Sequence, residues 1–471
     1  MLVAACADST TGPVDGADCP PGTQRCGGAC VNTYENVLHC GTCDRACEPG
    51  EVCNEGRCQT VCSPGLTDCD RSCVDITSDE ANCGRCGNVC ATGVGCAEGF
   101  CEVRLTGVLG GRLSYPGARV VLEGTVSVPA WNGTDDVTSC DGGETGCLRV
   151  EAARIVLPAG ATIDAAGSGA GGGGGGGGGP GCSRPARSDP CTGACVSCRV
   201  GTGGAGHAGG AAASAGRTAL GTSIGGTGGR GGGAFGGAGG AEVSRSGNDG
   251  AANGNVGRPG GYDTPEGNTD RSTDDTLRLG SGGGGGGGGA SSSEHFYDSV
   301  GGSGGGGAGN RGGGIVMLVA TESLVLAGTL TTAGRADAAG DGGAGTDGAV
   351  SGSTCDLEGS GGDGGSADSA GSSAGGRGVA GAFAAGWNDC IERQCEDYDS
   401  GPVAGGHGGD GGAGAGGGVL LRAPLVELAG TIDARGGGGV PANGGTVKVF
   451  HGGTAPDTAG VLAPQLVLVP E

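Results

Sequence analysis

Two stretches of this chain have almost no side chains: residues 169–179 are glycine apart from Ala170, and Gly282 to Gly289 is an unbroken glycine run. Such segments cannot bury apolar groups of their own, and glycine loses more backbone freedom on ordering than any other residue. They therefore either stay flexible coil or pack as extended three-fold helices. Such helices have three residues per turn and no internal hydrogen bonds, so each must bond to its neighbours. Glycine makes up 122 of 471 residues and aromatic residues only 3%, where an average chain has about 7% glycine. That excludes an ordinary enzyme domain with a thick aliphatic and aromatic core. Strict collagen is excluded too, because glycine does not recur at every third position beside proline.

The glycine is unevenly placed, with 14 in residues 1–101 and 108 beyond them. Gly405-Gly406-His407-Gly408-Gly409-Asp410-Gly411-Gly412-Ala413 repeats strictly every three residues, which gives a three-fold helix two glycine faces for close approach. In this it resembles the polyglycine bundles of some antifreeze and phage proteins and the glycine-rich repeats of mycobacterial surface proteins. The resemblance implies ordered, polyglycine II-like packing. Elsewhere the period drifts, and coil and bundle both remain open.

Apolar islands separate the glycine tracts. Val120-x-Leu122-x-Gly124-Thr125-Val126 recurs as Leu324-x-Leu326-x-Gly328-Thr329-Leu330 and as Val426-x-Leu428-x-Gly430-Thr431-Ile432. A looser copy runs from Ile155-Val156-Leu157 to Thr162-Ile163-Asp164-Ala165. The period of two predicts half-buried strands, and repetition of one motif predicts solenoid rungs. We expect a mainly β chain with very little helix. Over 102–471 it should form an irregular β-solenoid-like domain with insertions at about 168–314 and 335–418. A β-sandwich of the same strands is the alternative.

The N-terminal part carries a tandem cysteine ladder. Cys19, Cys26, Cys30, Cys40, Cys43, Cys47, Cys53 and Cys58 recur 43 residues later as Cys62, Cys69, Cys73, Cys83, Cys86, Cys90, Cys96 and Cys101 with identical intervals. Modules of about 40 residues cannot bury enough surface without staples, so we expect two disulfide modules, 19–58 and 62–101. Zinc, suggested by Cys40-x2-Cys43 and Cys83-x2-Cys86, needs far fewer cysteines, and a redox CxxC expects a βαβ context. Eight cysteines allow 105 pairings, so connectivity stays open. Nine further cysteines are disulfide candidates: Cys140, Cys147, Cys182, Cys191, Cys195, Cys198, Cys355, Cys390 and Cys395. Local staples of Cys140 with Cys147 and Cys390 with Cys395 would suit loops on fixed paths. An odd number leaves one thiol free or intermolecular.

Cys30-Val31-Asn32, Cys40-Gly41, Gly50-Glu51-Val52-Cys53 and Gly56-Arg57-Cys58 recur as variants in the second copy, most fully in Asn82-Cys83-Gly84-Arg85-Cys86-Gly87-Asn88-Val89-Cys90. These motifs resemble the repeat of plant stigma-specific secreted proteins and similar repeats of myxobacterial cysteine-rich surface lipoproteins, over residues 19–101. The resemblance implies a secreted module and brings no catalytic residue. Leu2-Val3-Ala4-Ala5-Cys6 resembles a bacterial lipobox, making Cys6 the expected lipidation site and 1–18 an anchor with its tether.

The formal net charge of −24, with Lys448 the one lysine, argues against nucleic acid and anionic membrane faces as partners. No apolar run of 18 residues suggests a transmembrane helix. The membrane is then met only through a lipid anchor, and a surface polysaccharide or self-association is the expected partner class. Calcium is weakly suggested by Gly405–Asp410 and Gly342–Asp347, which lack the nonapeptide's following apolar residue. Asp164 and Asp433 hold matching places after the Thr-Ile of their strands, but Thr331 interrupts the series, and a solvated ladder explains them better than an acid/base pair. Glu294-His295-Phe296-Tyr297-Asp298 reads as a cluster pinning a loop, and Trp131 and Trp387 as packing for disulfide-bounded turns. No cofactor, metal or catalytic residue is expected. The composite reading is a structural or adhesive protein at a bacterial cell surface, as an outer-membrane lipoprotein. The alternatives are an extracellular binding module for glycan, ice or calcium, and, less favoured, a polysaccharide-active β-helix enzyme.

Overall fold

The computed structural model describes Cys19 and residues 22–135, 145–178, 273–285, 308–335, 410–439 and 443–471. It also describes shorter pieces between 137 and 141 and between 202 and 246, at 287–288 and at 408, and four short strands between 349 and 398 as backbone. The chain divides into two compact units, Met1–Val103 and Arg104–Glu471.

The first unit repeats one plan at the 43-residue offset. Hairpins Gln24–Cys26/Ala29–Val31 and Val52–Asn54/Arg57–Gln59 recur as Thr67–Cys69/Ser72–Val74 and Gly95–Ala97/Phe100–Val108. Disulfides join Cys19–Cys30, Cys26–Cys43, Cys40–Cys53 and Cys47–Cys58, and then Cys62–Cys73, Cys69–Cys86, Cys83–Cys96 and Cys90–Cys101. Both copies thus pair first with third, second with fifth, fourth with seventh and sixth with eighth. The recurrent glycines after Cys40 and in Gly56-Arg57-Cys58 face one another. A methyl group at Gly41 would overlap the carbonyl of Gly56, and one at Gly84 that of Gly99. The copies merge where Cys53 pairs with Ser72, and Arg71 donates to the carbonyls of Cys47, Glu48 and Glu51 at 2.7–3.1 Å.

The second unit holds a β-solenoid of parallel turns. Its rungs are Gly111–Ser127; Cys147–Leu157 with Thr162–Asp164; and Ile315–Leu326 with Thr329–Thr331. Val419–Ala423, Leu425–Leu428 and Thr431–Asp433 make the fourth, Thr446–His451 with Val461–Leu462 the fifth, and Gln465–Pro470 the last. The recurring motif stacks in register, Val120 on Ile155 on Leu324 on Val426, and Val126 on Ile163 on Leu330 on Ile432. Columns Leu148–Val316–Val419–Val447 and Val150–Leu318–Leu421–Val449 are fully buried. Parallel stacking of successive turns is solenoid geometry, and it replaces the sandwich. The irregular sequence spacing arises because chain is looped out between rungs, not within them.

That looped-out chain answers the glycine question for the described residues. Segments 169–178, 211–215, 226–231, 236–242, 280–285 with 287–288, 308–314 and 411–418 lie side by side, each bonding a given neighbour at every third residue. Gly280 and Gly283 donate to Gly313 and Asn310, while Gly412 and Ala415 donate to Gly284 and Ser281. Gly285 and Gly288 donate to Gly229 and Gly226, and Gly237 and Gly240 to Gly282 and Gly285. Ala170 and Gly173 complete the ring on the carbonyls of Gly280 and Gly283. The helix that begins at Gly280 is therefore surrounded by five others, and consecutive residues face different neighbours. A methyl group at Gly282, Gly283 or Gly284 would overlap the backbone carbonyl of Gly171, Gly412 or Ala238. An unbroken glycine run is what a central helix demands. Peripheral helices relax the rule at every third position, with Thr227 and Arg230 on one and the exposed Ala238 and Ala241 on another.

A strap ties bundle to solenoid. Residues 273–279 lie across the outer face of the first strand column, where Leu277 joins Cys140, Cys147, Ile315, Met317, Leu420 and Phe450 in an apolar cluster. Lys448 is 0% exposed, and its Nζ donates to Thr276 O at 2.8 Å, Asp274 Oδ1 at 3.1 Å and Asp274 O at 3.2 Å. Beside it, Arg422 holds Asp275 through two bonds of 2.5 and 2.6 Å and stacks over Phe450. The strap then runs directly into the central glycine helix.

Two outcomes follow. Gly283→Ala should lower stability by about 1–3 kcal/mol through overpacking against backbone, whereas Ala241→Ser on the exposed edge should change it by less than about 0.5 kcal/mol; chemical denaturation compares them. The Arg422 hydrogen bonds hold the Asp275 carboxyl below its usual range, so its contribution is full above the unfolded-state value and lost as pH falls through the lower folded one. Limited proteolysis across an acid titration should show the strap opening at low pH, and Asp275→Asn should open it already at neutral pH.

Candidate functional site

The matched acids of the rungs sit together at one corner of the solenoid, in register as Asp164, Thr331 and Asp433. Each serves the turn that leaves its strand. Asp164 Oδ1 accepts from the Ala166 N–H at 2.9 Å, Thr331 Oγ1 from Ala333 at 3.3 Å and Asp433 Oδ1 from Arg435 at 3.0 Å. Threonine does not break this series; its hydroxyl makes the same two-residue turn that an Asp makes. Burial raises the Asp433 carboxyl, but hydrogen bonds and charge from Arg435, at 2.7 and 2.9 Å, outweigh this and hold it below the ordinary carboxylate range. An ionised, doubly bonded carboxylate is poorly suited to protonating a leaving group.

Just outside that column the strands present Thr125, Thr162, Thr329 and Thr431, again in register. Thr125, Thr329 and Thr431 are exposed and Thr162 half-buried. Successive hydroxyls stand one strand spacing apart, about 4.8 Å.

Where chain leaves the corner, buried Arg311 draws three elements together, donating to the carbonyls of Gly167, Trp131 and Gly169 at 2.9–3.1 Å. Its role was not legible in the sequence, because nothing local marks an arginine between Asn310 and Gly312 as a junction. Trp131 donates from Nε1 to Asp135 O at 2.9 Å and lies against Gly146, next to the Cys140–Cys147 disulfide. In the same turn the Asp135 carboxyl is held low by hydrogen bonds from Thr145 and Asn132. The tryptophan closes a disulfide-bounded loop.

In the first unit the sulfurs of Cys40, Cys47 and Cys58 lie within 4.8 Å of one another, as do those of Cys83, Cys90 and Cys101. All six belong to disulfides. The CxxC pairs diverge instead, Cys43 being bonded to Cys26 and Cys86 to Cys69.

Several sequence candidates lie outside the described residues: Cys6, Cys182, Cys191, Cys195, Cys198 and Cys355, the Glu294–Asp298 cluster, and the whole Gly342–Asp347 motif. Of the other calcium-like motif, Gly408 and Asp410 are described. Cys390 and Cys395 stand directly opposite in the antiparallel pair Trp387–Ile391/Gln394–Tyr398.

Residues 4–61 and 54–104 match the model of the Stigma-specific STIG1-like protein family. The cysteine-rich unit is accordingly of a secreted, extracellular type. No curated protein and no solved structure matches the chain.

Peptide mapping without reduction should recover the one-three, two-five, four-seven, six-eight pattern from both copies; any Cys40–Cys43 or Cys83–Cys86 peptide would contradict it. Asp433→Asn keeps the turn acceptor but loses the charge pair with Arg435 and should cost less than Asp433→Ala, which also loses the turn hydrogen bond at about 0.5–1.5 kcal/mol, read from the denaturation midpoint.

Proposed function

We propose that this chain is a structural and adhesive protein of a bacterial cell surface, lipid-anchored through Cys6 and without catalytic chemistry of its own. The observation that carries the reading is the use made of its chemically able side chains. Asp164, Asp433 and Arg435 hold corner turns, Lys448 and Arg422 hold a strap, Arg311 holds backbone carbonyls, and the described cysteine sulfurs are staples. A cysteine-rich unit of a secreted type supports a role outside the cell. The stapled unit then serves as a stalk, and the solenoid with its glycine bundle as the displayed body. Nucleic acid is not a partner of so acidic a chain; a surface polysaccharide or a second copy is.

A second reading, glycan binding, is favoured by the outward threonine column, whose regular hydroxyls could meet a repeating sugar chain. Ice shares that chemistry.

Cell fractionation tests the anchor and function together. The full chain should appear in the membrane fraction with an acylated Cys6 by intact mass, and Cys6→Ser should release it and reduce adhesion of the cells to polysaccharide-coated surfaces. An unmodified Cys6 overturns the anchor. New reducing ends generated from a polysaccharide, and lost in Asp433→Asn, would overturn the non-catalytic reading.

A further inference from the structure

Each half of the first unit is built around sulfur more than carbon. In the first half Cys40 and Cys53 are fully buried and Cys47 nearly so, with Val37 and Cys58 packed on them. The disulfides Cys40–Cys53 and Cys47–Cys58 therefore lie against one another, bringing Cys40, Cys47 and Cys58 sulfurs within 4.8 Å. The second half repeats the arrangement with Cys83, Cys90 and Cys101, Cys96 being bonded to Cys83. In a tetrahedral zinc–thiolate centre with Zn–S bonds of about 2.3 Å, the sulfurs stand roughly 3.8 Å apart. Three sulfurs in each half thus already lie within 4.8 Å of one another, and the fourth, Cys53 or Cys96, is bonded to one of them; only Cys40 and Cys83 of these belong to a CxxC pair.

We infer that each half carries a latent zinc site that reduction unmasks. One site is Cys40, Cys47, Cys53 and Cys58; the other is Cys83, Cys90, Cys96 and Cys101. A dithiol reductant supplies two electrons and two protons to each disulfide and leaves as its own cyclic disulfide, so two equivalents open one site. Binding of Zn²⁺ then releases the four thiol protons and forms four Zn–S bonds, leaving a net charge of −2 on the centre. In the first half the Arg71 guanidinium, bonded to the carbonyls of Cys47 and Glu48, partly offsets that charge. The outer disulfides, Cys19–Cys30 and Cys26–Cys43, take no part. The metal would replace the two core staples where surroundings are reducing, so that the unit keeps a cross-linked centre in either redox state.

The full-length chain is reduced with dithiothreitol, desalted without oxygen and titrated with Zn²⁺ against a chromophoric chelator, with Co²⁺ absorption reporting tetrahedral thiolate geometry. Reduction should unmask two zinc equivalents that disappear in the double variant Cys47→Ser/Cys90→Ser and persist in Cys26→Ser/Cys69→Ser. Because the readout is the difference between variants, thiols elsewhere in the chain do not confuse it. Equal zinc uptake in all three proteins, or equal loss in both variants, would overturn the inference, since metal would then be caught by thiols without regard to their placement.

Discussion

The hydrogen bond between neighbouring glycine backbones is the interaction on which the second unit depends. A three-fold helix makes none within itself, yet its buried N–H and C=O groups must be satisfied. Each helix is thus stable only in company. A single such bond contributes about 0.5–1.5 kcal/mol net, while fixing one backbone residue costs about 1–2 kcal/mol, so the bundle cannot stand on those bonds alone. It leans on the solenoid. The 169–178 helix leaves the second rung, and the 308–314 and 411–418 helices run straight into the third and fourth. Rungs already stacked in register deliver three helices at fixed heights, and Arg311 and the Lys448 strap hold the joints.

The two units solve the same shortage by opposite means. Neither has the aromatic and aliphatic mass of an ordinary core. The first replaces it with covalent bonds, its most buried side chains being cysteines. The second keeps a thin aliphatic column inside the solenoid and extends it with backbone packed on backbone. In both, glycine permits the approach: Gly41 against Gly56 in one, and Gly282 to Gly284 against three different helices in the other.

Much of this was legible in residue order. Period-two islands with a Gly-Thr step named the strands that stack, because a solenoid repeats one inward pattern in every rung. The cysteine intervals declared a duplicated module but not its pairing, since pairing depends on hairpin geometry that spacing does not encode. The last two rungs, Thr446–His451 and Gln465–Pro470, lack the full Val-x-Leu-x-Gly-Thr order, Gly445-Thr446 standing at the head of its strand rather than after an apolar alternation, so the motif does not mark them. The bundle's regularity is legible at Gly405–Ala413 and hard to read elsewhere. Its period of three is visible only on peripheral helices such as 226–231 and 236–242, and vanishes in the central run where every residue is glycine. Lys448 and Arg422 lie more than a hundred residues from the strap they hold, beyond the reach of any local pattern.

The directions of the glycine helices have a consequence of their own. Ala211 and Ser214 bond to Arg230 and Thr227, and Gly228 and Gly231 to Gly240 and Gly237, so these neighbours run antiparallel, folded back in pairs. A pair that leaves and returns on the same side changes neither the height nor the heading of the rung it interrupts. The lineage of such a chain can therefore lengthen or trim its outer layer two helices at a time, like courses added to a wall, while the aliphatic column beneath keeps its alignment.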